Sequence, residues 1–108
     1  MAYDENLAAR VRTALEGLDI TERKMFGGVA FMLSGNMCVG IAGDELMVRI
    51  DPELTEEALA LAHVREFDMT GKRMRGWVLV GGPAIEADAG LSEWVERGVE
   101  YAGSLPPK

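Results

Sequence analysis

Lys24-Met25-Phe26-Gly27-Gly28-Val29-Ala30-Phe31-Met32-Leu33-Ser34-Gly35-Asn36-Met37 decides the fold of this chain. Val29, Phe31 and Leu33 alternate with Ala30 and Met32, the period-two pattern of a strand. Gly27-Gly28 reads as a bulge and Ser34-Gly35-Asn36 as a short hairpin turn. Met37 to Ala42 is then the returning strand, Gly43-Asp44 the next turn, and Glu45 to Ile50 a third strand. So few residues separate these strands that a parallel crossover cannot fit, so they form an antiparallel meander.

Upstream of the meander, Asp4 is placed to cap a first helix that runs to about Gly17, with Glu5 in its first turn. Leu7, Val11, Leu15 and Leu18 form one apolar stripe along it. Downstream, Asp51-Pro52 opens a second helix, where the missing N–H of proline costs nothing. Leu54, Ala58, Leu59, Leu61 and Ala62 supply its apolar side, and Glu53, Glu56 and Glu57 suit its N-terminal dipole. A short strand follows at Val64 to Phe67, then a polar, basic turn region from Asp68 to Arg75, then a strand from Gly76 to Gly81.

Gly82-Pro83 breaks that strand and a loop runs to Gly90. Ser92 is expected to cap a last helix whose apolar face is Trp94, Val95, Val99, Ala102 and Leu105. Gly98 inside it costs up to about 1 kcal/mol against alanine and so marks close packing. Residues 105–108 form an extended tail. The order α-β-β-β-α-β-β-α specifies an α+β domain, a two-layer sandwich with one antiparallel sheet covered by helices.

The bulk composition narrows the function. A chain of 108 residues fits a single domain, 1–108. Its formal charge of −7 argues against direct nucleic-acid binding, which draws affinity from a basic face that displaces phosphate counterions. The single cysteine, Cys38, excludes an intramolecular disulfide and suits a reducing compartment. The N-terminus lacks the basic start and apolar run of a signal peptide, and no apolar stretch approaches the ~18 residues of a membrane span. A cytoplasmic protein without a membrane partner is expected.

Catalytic chemistry finds little support. His63, the only histidine, and Cys38, the only cysteine, cannot make a Cys/His zinc site by themselves, and the acidic residues have no ligand-like spacing, so no metal is expected. Cys38 has no base beside it in the sequence and reads as a small buried residue rather than a nucleophile. Gly27, Gly28, Gly35, Gly40 and Gly43 match neither phosphate-binding pattern and are explained by turns and close strand packing. No catalytic residue and no cofactor is expected.

Binding has better candidates. Lys72-Arg73-Met74-Arg75, followed by Gly76-Trp77, is the one basic cluster with an aromatic beside it, and Arg49 and Arg65 on neighbouring strands extend it. It reads either as a docking patch for an anion or acidic protein or as a solvated turn with Trp77 in the core. Met69 and Met74, inside this polar segment, suit partner contact, whereas the strand methionines Met32, Met37 and Met47 read as core filling. An exposed sheet edge is a second place for a partner. A pocket between sheet and helices near Arg49 and Trp77 is the alternative, for a small ligand or anion.

Several of these motifs resemble one family, the N-terminal domain of the TfoX/Sxy competence regulators. The matching residues are Met25-Phe26-Gly27-Gly28, then Phe31, Gly35 and Met37, then Leu46-Met47-Val48-Arg49-Ile50-Asp51. Glu66 through Trp77, and Trp94 through the Leu105-Pro106-Pro107-Lys108 ending, resemble a branch of small stand-alone members. The resemblance implies a fold similar to type III secretion chaperones. It also implies a non-enzymatic role, since the family brings no catalytic residues to carry over. Members include coactivators that work with the cyclic-AMP receptor protein, and these also carry a C-terminal helical domain for which this chain has no length. The expectation is a homodimeric protein-interaction domain whose partner is a transcription regulator or RNA polymerase.

Overall fold

Asp4 caps the first helix as its position predicts. Its carboxylate accepts the backbone N–H groups of Asn6 (2.9 Å) and Leu7 (3.1 Å), which begin α1, Glu5–Ala14. The computed structural model describes residues 3–25, 27–69 and 72–106, without the side chains of 25, 68, 69 and 72–75. Among the described residues six strands follow α1 in one antiparallel sheet: β1 Ile20–Met25, β2 Gly28–Leu33, β3 Asn36–Ala42, β4 Glu45–Arg49, β5 Val64–Met69 and β6 Lys72–Val80. A 3₁₀ turn, Pro52–Leu54, runs into the short α2, Thr55–Leu59, and α3, Pro83–Glu86, precedes the long α4, Asp88–Gly103.

The α+β class and the helix-covered antiparallel sheet are as the sequence specifies, but the sheet has one more strand than expected. β1 carries Thr21, Glu22, Arg23 and Lys24, all exposed, so no apolar alternation announces it. It is an edge strand, paired only with β2, and its charges protect the open edge. Gly27-Gly28 is accordingly not a bulge. Gly27, at φ +75°, lies in the turn joining β1 to β2, and Gly28 begins β2. A shift of register does occur, between Phe31 and Met32 opposite Cys38.

The expected hairpin turn is present, with Ser34 at φ 52° and Gly35 at φ 84°, the double left-handed geometry of a turn that matches strand twist. Three other local expectations change. The basic segment 72–75 is strand rather than turn, paired with the end of β5 (Asp68↔Arg73, Met69↔Lys72). The loop to Gly90 contains α3 and the start of α4, and Ser92 lies inside α4 rather than capping it. Leu18, placed on the α1 stripe, is 44% exposed because α1 ends at Ala14, one turn short of carrying it inward.

The strands run in the order β1-β2-β3-β4-β6-β5, so β4 pairs with β6 rather than with its sequence neighbour β5. Val29, Phe31, Val39, Ile41, Leu46, Val48, Val78 and Val80 face the helices and are buried at 1% exposure or less. Trp94, Val95 and Ala102 of α4 close this core from above, with Leu7 and Val11 of α1 and Leu15 just after it beside them. Gly98 allows α4 to lie directly on β3, since a Cβ there would stand 2.3 Å from the Cys38 carbonyl oxygen.

Gly40 points to the opposite face. There the terminal methyls of Met37 and Met47 fill the space that its absent side chain leaves. Met47 and Leu79 are buried on this side without joining the helix-covered core, and Met32 and Met37 are half-buried. The strand methionines thus form a second apolar layer.

Candidate functional site

Asp51 starts the segment that shapes the site. Its carboxylate accepts the Glu53 backbone N–H at 2.9 Å, and Pro52 occupies the first position of the 3₁₀ turn. Thr55, 1% exposed, then anchors the segment to the sheet. Its hydroxyl donates to the Pro52 carbonyl (2.8 Å) and accepts the Gly76 backbone N–H (2.9 Å). Gly76, at φ +91°, meets Pro52 so closely that a Cβ would lie 3.3 Å from its ring. The Ile50 N–H donates to the Gly76 carbonyl at 2.8 Å, completing the junction.

With Thr55 and Ala58 turned inward, the five-residue α2 has no length to bury the leucines that flank it. Leu54 is 50% and Leu61 45% exposed, against the expectation that both belong to the helix's apolar side. They form one wall of a cleft of about 540 Å³. The other wall is a single stripe of Arg97, Glu100 and Tyr101 of α4 and Ser104, which caps its C-terminus, spaced so that all four share one helix face. Ile50 and Ala58, both nearly inaccessible, make the floor. This volume lies within the range of roughly 300–1,000 Å³ that ligand and peptide sites occupy.

Three carboxylates, Asp51, Glu57 and Glu100, line the cleft beside one guanidinium, that of Arg97. Arg97 is already engaged, 3.2 Å from Glu93 and 4.6 Å from the centre of the Trp94 ring. Glu93 and Arg97 form the surface pair that their spacing predicts.

The residues picked out in the sequence lie around the cleft rather than in it. The Arg49 guanidinium stands 5.5 Å from the ring centre of Trp77 and 5.6 Å from that of Tyr101, so a cation held by two rings links β4, β6 and the cleft wall. Trp77 is half-buried, outside the core cluster, and 6.2 Å from Phe67. Arg65 belongs to a different group, forming a two-pronged ion pair with Glu45 across the face of the sheet. The structure therefore joins Arg49 to Trp77 and sets Arg65 apart. The side chains of Met25, Met69, Lys72, Arg73, Met74 and Arg75, and all of Phe26, lie outside the described residues. The backbone of 72–75 extends beyond the end of β4, which pairs with β6 only from Trp77 to Val80.

Cys38 is buried, its thiol 3.2 Å from the Phe31 carbonyl, and desolvation raises its pKa. His63 is exposed in the turn into β5 at φ 67°. Among the described residues, no group of three or more His, Cys, Asp or Glu side chains is placed to hold a metal ion. No described helix is long and apolar enough to cross a membrane.

Comparison with known proteins gives one match. The TfoX N-terminal domain family covers residues 13–102, and the chain belongs to that family. No curated protein and no solved structure matches it.

Proposed function

We propose that this TfoX N-terminal domain is a non-enzymatic protein-interaction module, a transcriptional accessory protein that docks a partner in the cleft between the 3₁₀–α2 segment and α4. The observation that supports this is the pair of half-exposed leucines, Leu54 and Leu61, on the wall of a preformed cleft. Large aliphatic side chains held open to water on a rigid support gain by being covered, at roughly 25 cal/mol per Å². Family membership supports the regulatory half of the reading, with a transcription regulator or RNA polymerase as partner. The β5–β6 hairpin, whose basic residues Lys72, Arg73 and Arg75 lie beyond the end of β4, is a second contact in this proposal.

A small ligand in the same cleft is the other reading, and the lining favours a cation over an anion because carboxylates outnumber the single arginine.

The test is binding of the immobilised domain to purified RNA polymerase and to purified cyclic-AMP receptor protein. The comparison is wild type, a Leu54→Asp/Leu61→Asp variant, and a Lys72→Glu/Arg73→Glu/Arg75→Glu variant. Binding of one of the two proteins, weakened about tenfold or more by the leucine changes, is expected. Loss in the hairpin variant alone would move the docking surface there. No binding of either protein to the wild type would end the transcriptional reading.

A further inference from the structure

The cleft has a charge as well as a shape, and the two together specify what fits. Its apolar walls, Leu54, Leu61 and the Tyr101 ring, are bordered by Asp51, Glu57 and Glu100. Among the described residues no ion pair takes up Glu57 or Glu100, while the lining cation Arg97 is paired with Glu93 and lies against Trp94, and Arg49 beside the cleft is held between the Trp77 and Tyr101 rings. The whole chain adds a field of the same sign, with a formal charge of −7.

We infer that the occupant is a cationic amphipathic segment of a partner protein. It seats one or two large apolar side chains between Leu54, Leu61 and Tyr101 and sets Lys or Arg against Glu57 and Glu100. This rests on the docking reading above and adds the chemistry of the partner. Complementary charge of this kind steers encounter and excludes wrong partners more than it adds raw affinity. An acidic or anionic occupant would set like charges against the exposed Glu57 and Glu100, a repulsion that favours the cationic occupant and weakens with salt. A second copy of this chain, docking cleft to cleft across a two-fold axis, would bring a second set of Asp51, Glu57 and Glu100 into the same cleft. A foreign basic segment meets neither obstacle.

The inference is tested by titrating the isotope-labelled full chain with a leucine–lysine amphipathic peptide and with a leucine–glutamate peptide of the same length and pattern. Backbone amide shifts locate binding and fluorescence anisotropy measures affinity. The lysine peptide should shift amides in Asp51–Leu61 and Arg97–Ser104 and bind at least about tenfold tighter than the glutamate peptide. A Glu57→Lys/Glu100→Lys variant should abolish or reverse that preference. Both positions are exposed, and thermal melting checks that the variant is folded.

Equal binding of both peptides in the cleft would overturn the charge selection and leave the docking reading intact. Binding of neither peptide there, or shifts mapped elsewhere, would overturn both. Sedimentation showing a dimer that the Leu54→Asp/Leu61→Asp change dissociates would assign the cleft to a second copy and end the inference.

Discussion

Gly98 of α4 rests on the carbonyl of Cys38: a Cβ added to it would stand 2.3 Å from that oxygen and 2.8 Å from a Val39 methyl. This contact sets the distance between the helical layer and the sheet, and hence the position of the α4 stripe that walls the cleft. Gly98→Ala would gain about 1 kcal/mol of helix propensity and lose roughly 1–3 kcal/mol to overpacking. The obstacle is backbone, which cannot swing aside, so the loss should win. Urea unfolding is expected to show the variant net destabilised, and a more stable variant would show that α4 can shift freely on β3. Gly40→Ala is the control, because the nearest obstacles there are the flexible ends of Met37 and Met47, at 2.7 Å each, and its loss should be smaller.

Thr55 holds the other wall. Thr55→Val keeps the shape but removes the acceptor of the buried Gly76 N–H and the donor to Pro52. A buried donor left without a partner costs about 1–3 kcal/mol. Hydrogen exchange at the Gly76 amide should accelerate and the lysine peptide should bind more weakly. Unchanged exchange at Gly76 would mean that the 3₁₀–α2 segment is held by packing alone.

Acid should release one specific tie. The Arg12 guanidinium makes two hydrogen bonds to Glu22, at 2.7 and 2.9 Å, joining α1 to the edge strand β1. That hydrogen bonding, first, and then the charge of Arg12 hold the Glu22 carboxyl below the usual carboxylate range. A depressed folded-state value means stability that is present above the unfolded value, about 4.3, and is lost as pH falls through the folded one. Both side chains are more than one-third exposed, 46% and 40%, so solvent screening keeps the contribution below about 1 kcal/mol. Glu22→Gln should therefore be slightly less stable than wild type at neutral pH, with the gap closing in acid and in high salt. A gap that persists in acid would assign the effect to shape rather than charge.

Cys38 should be chemically silent in the folded protein. It is fully buried, and desolvation raises its pKa, so both access and thiolate fraction are low. Reaction with a thiol reagent should track the rate or population of unfolding and rise steeply in denaturant. Rapid labelling of the native chain would show that β3 opens locally beneath α4.

Much of the fold was legible because its signals are local. Asp4 as a cap, the Ser34-Gly35 turn, and the alternation of Val29, Phe31 and Leu33 each act through residues a few positions apart. β1 was hidden by its own chemistry, since an edge strand that carries Thr21, Glu22, Arg23 and Lys24 to water shows no apolar period. The candidate site was less legible than the fold. Leu54 and Leu61 have the composition of core residues, and only the short span of α2, Thr55–Leu59, leaves one before it and the other beyond it exposed.

By itself the sequence determined the class of the domain, the meander, the burial of Cys38 and the close approach at Gly98, through turn chemistry, side-chain period and the absence of a Cβ. Tertiary structure alone decided that β4 pairs with β6, which brings Arg49 beside Trp77, and that Arg65 pairs with Glu45 instead. It alone set the Arg97–Ser104 stripe of α4 and its C-cap opposite Leu54 and Leu61 across a cleft. Each of these relationships joins residues from elements far apart in the chain, where no local propensity acts and the packing of the whole core chooses the neighbours.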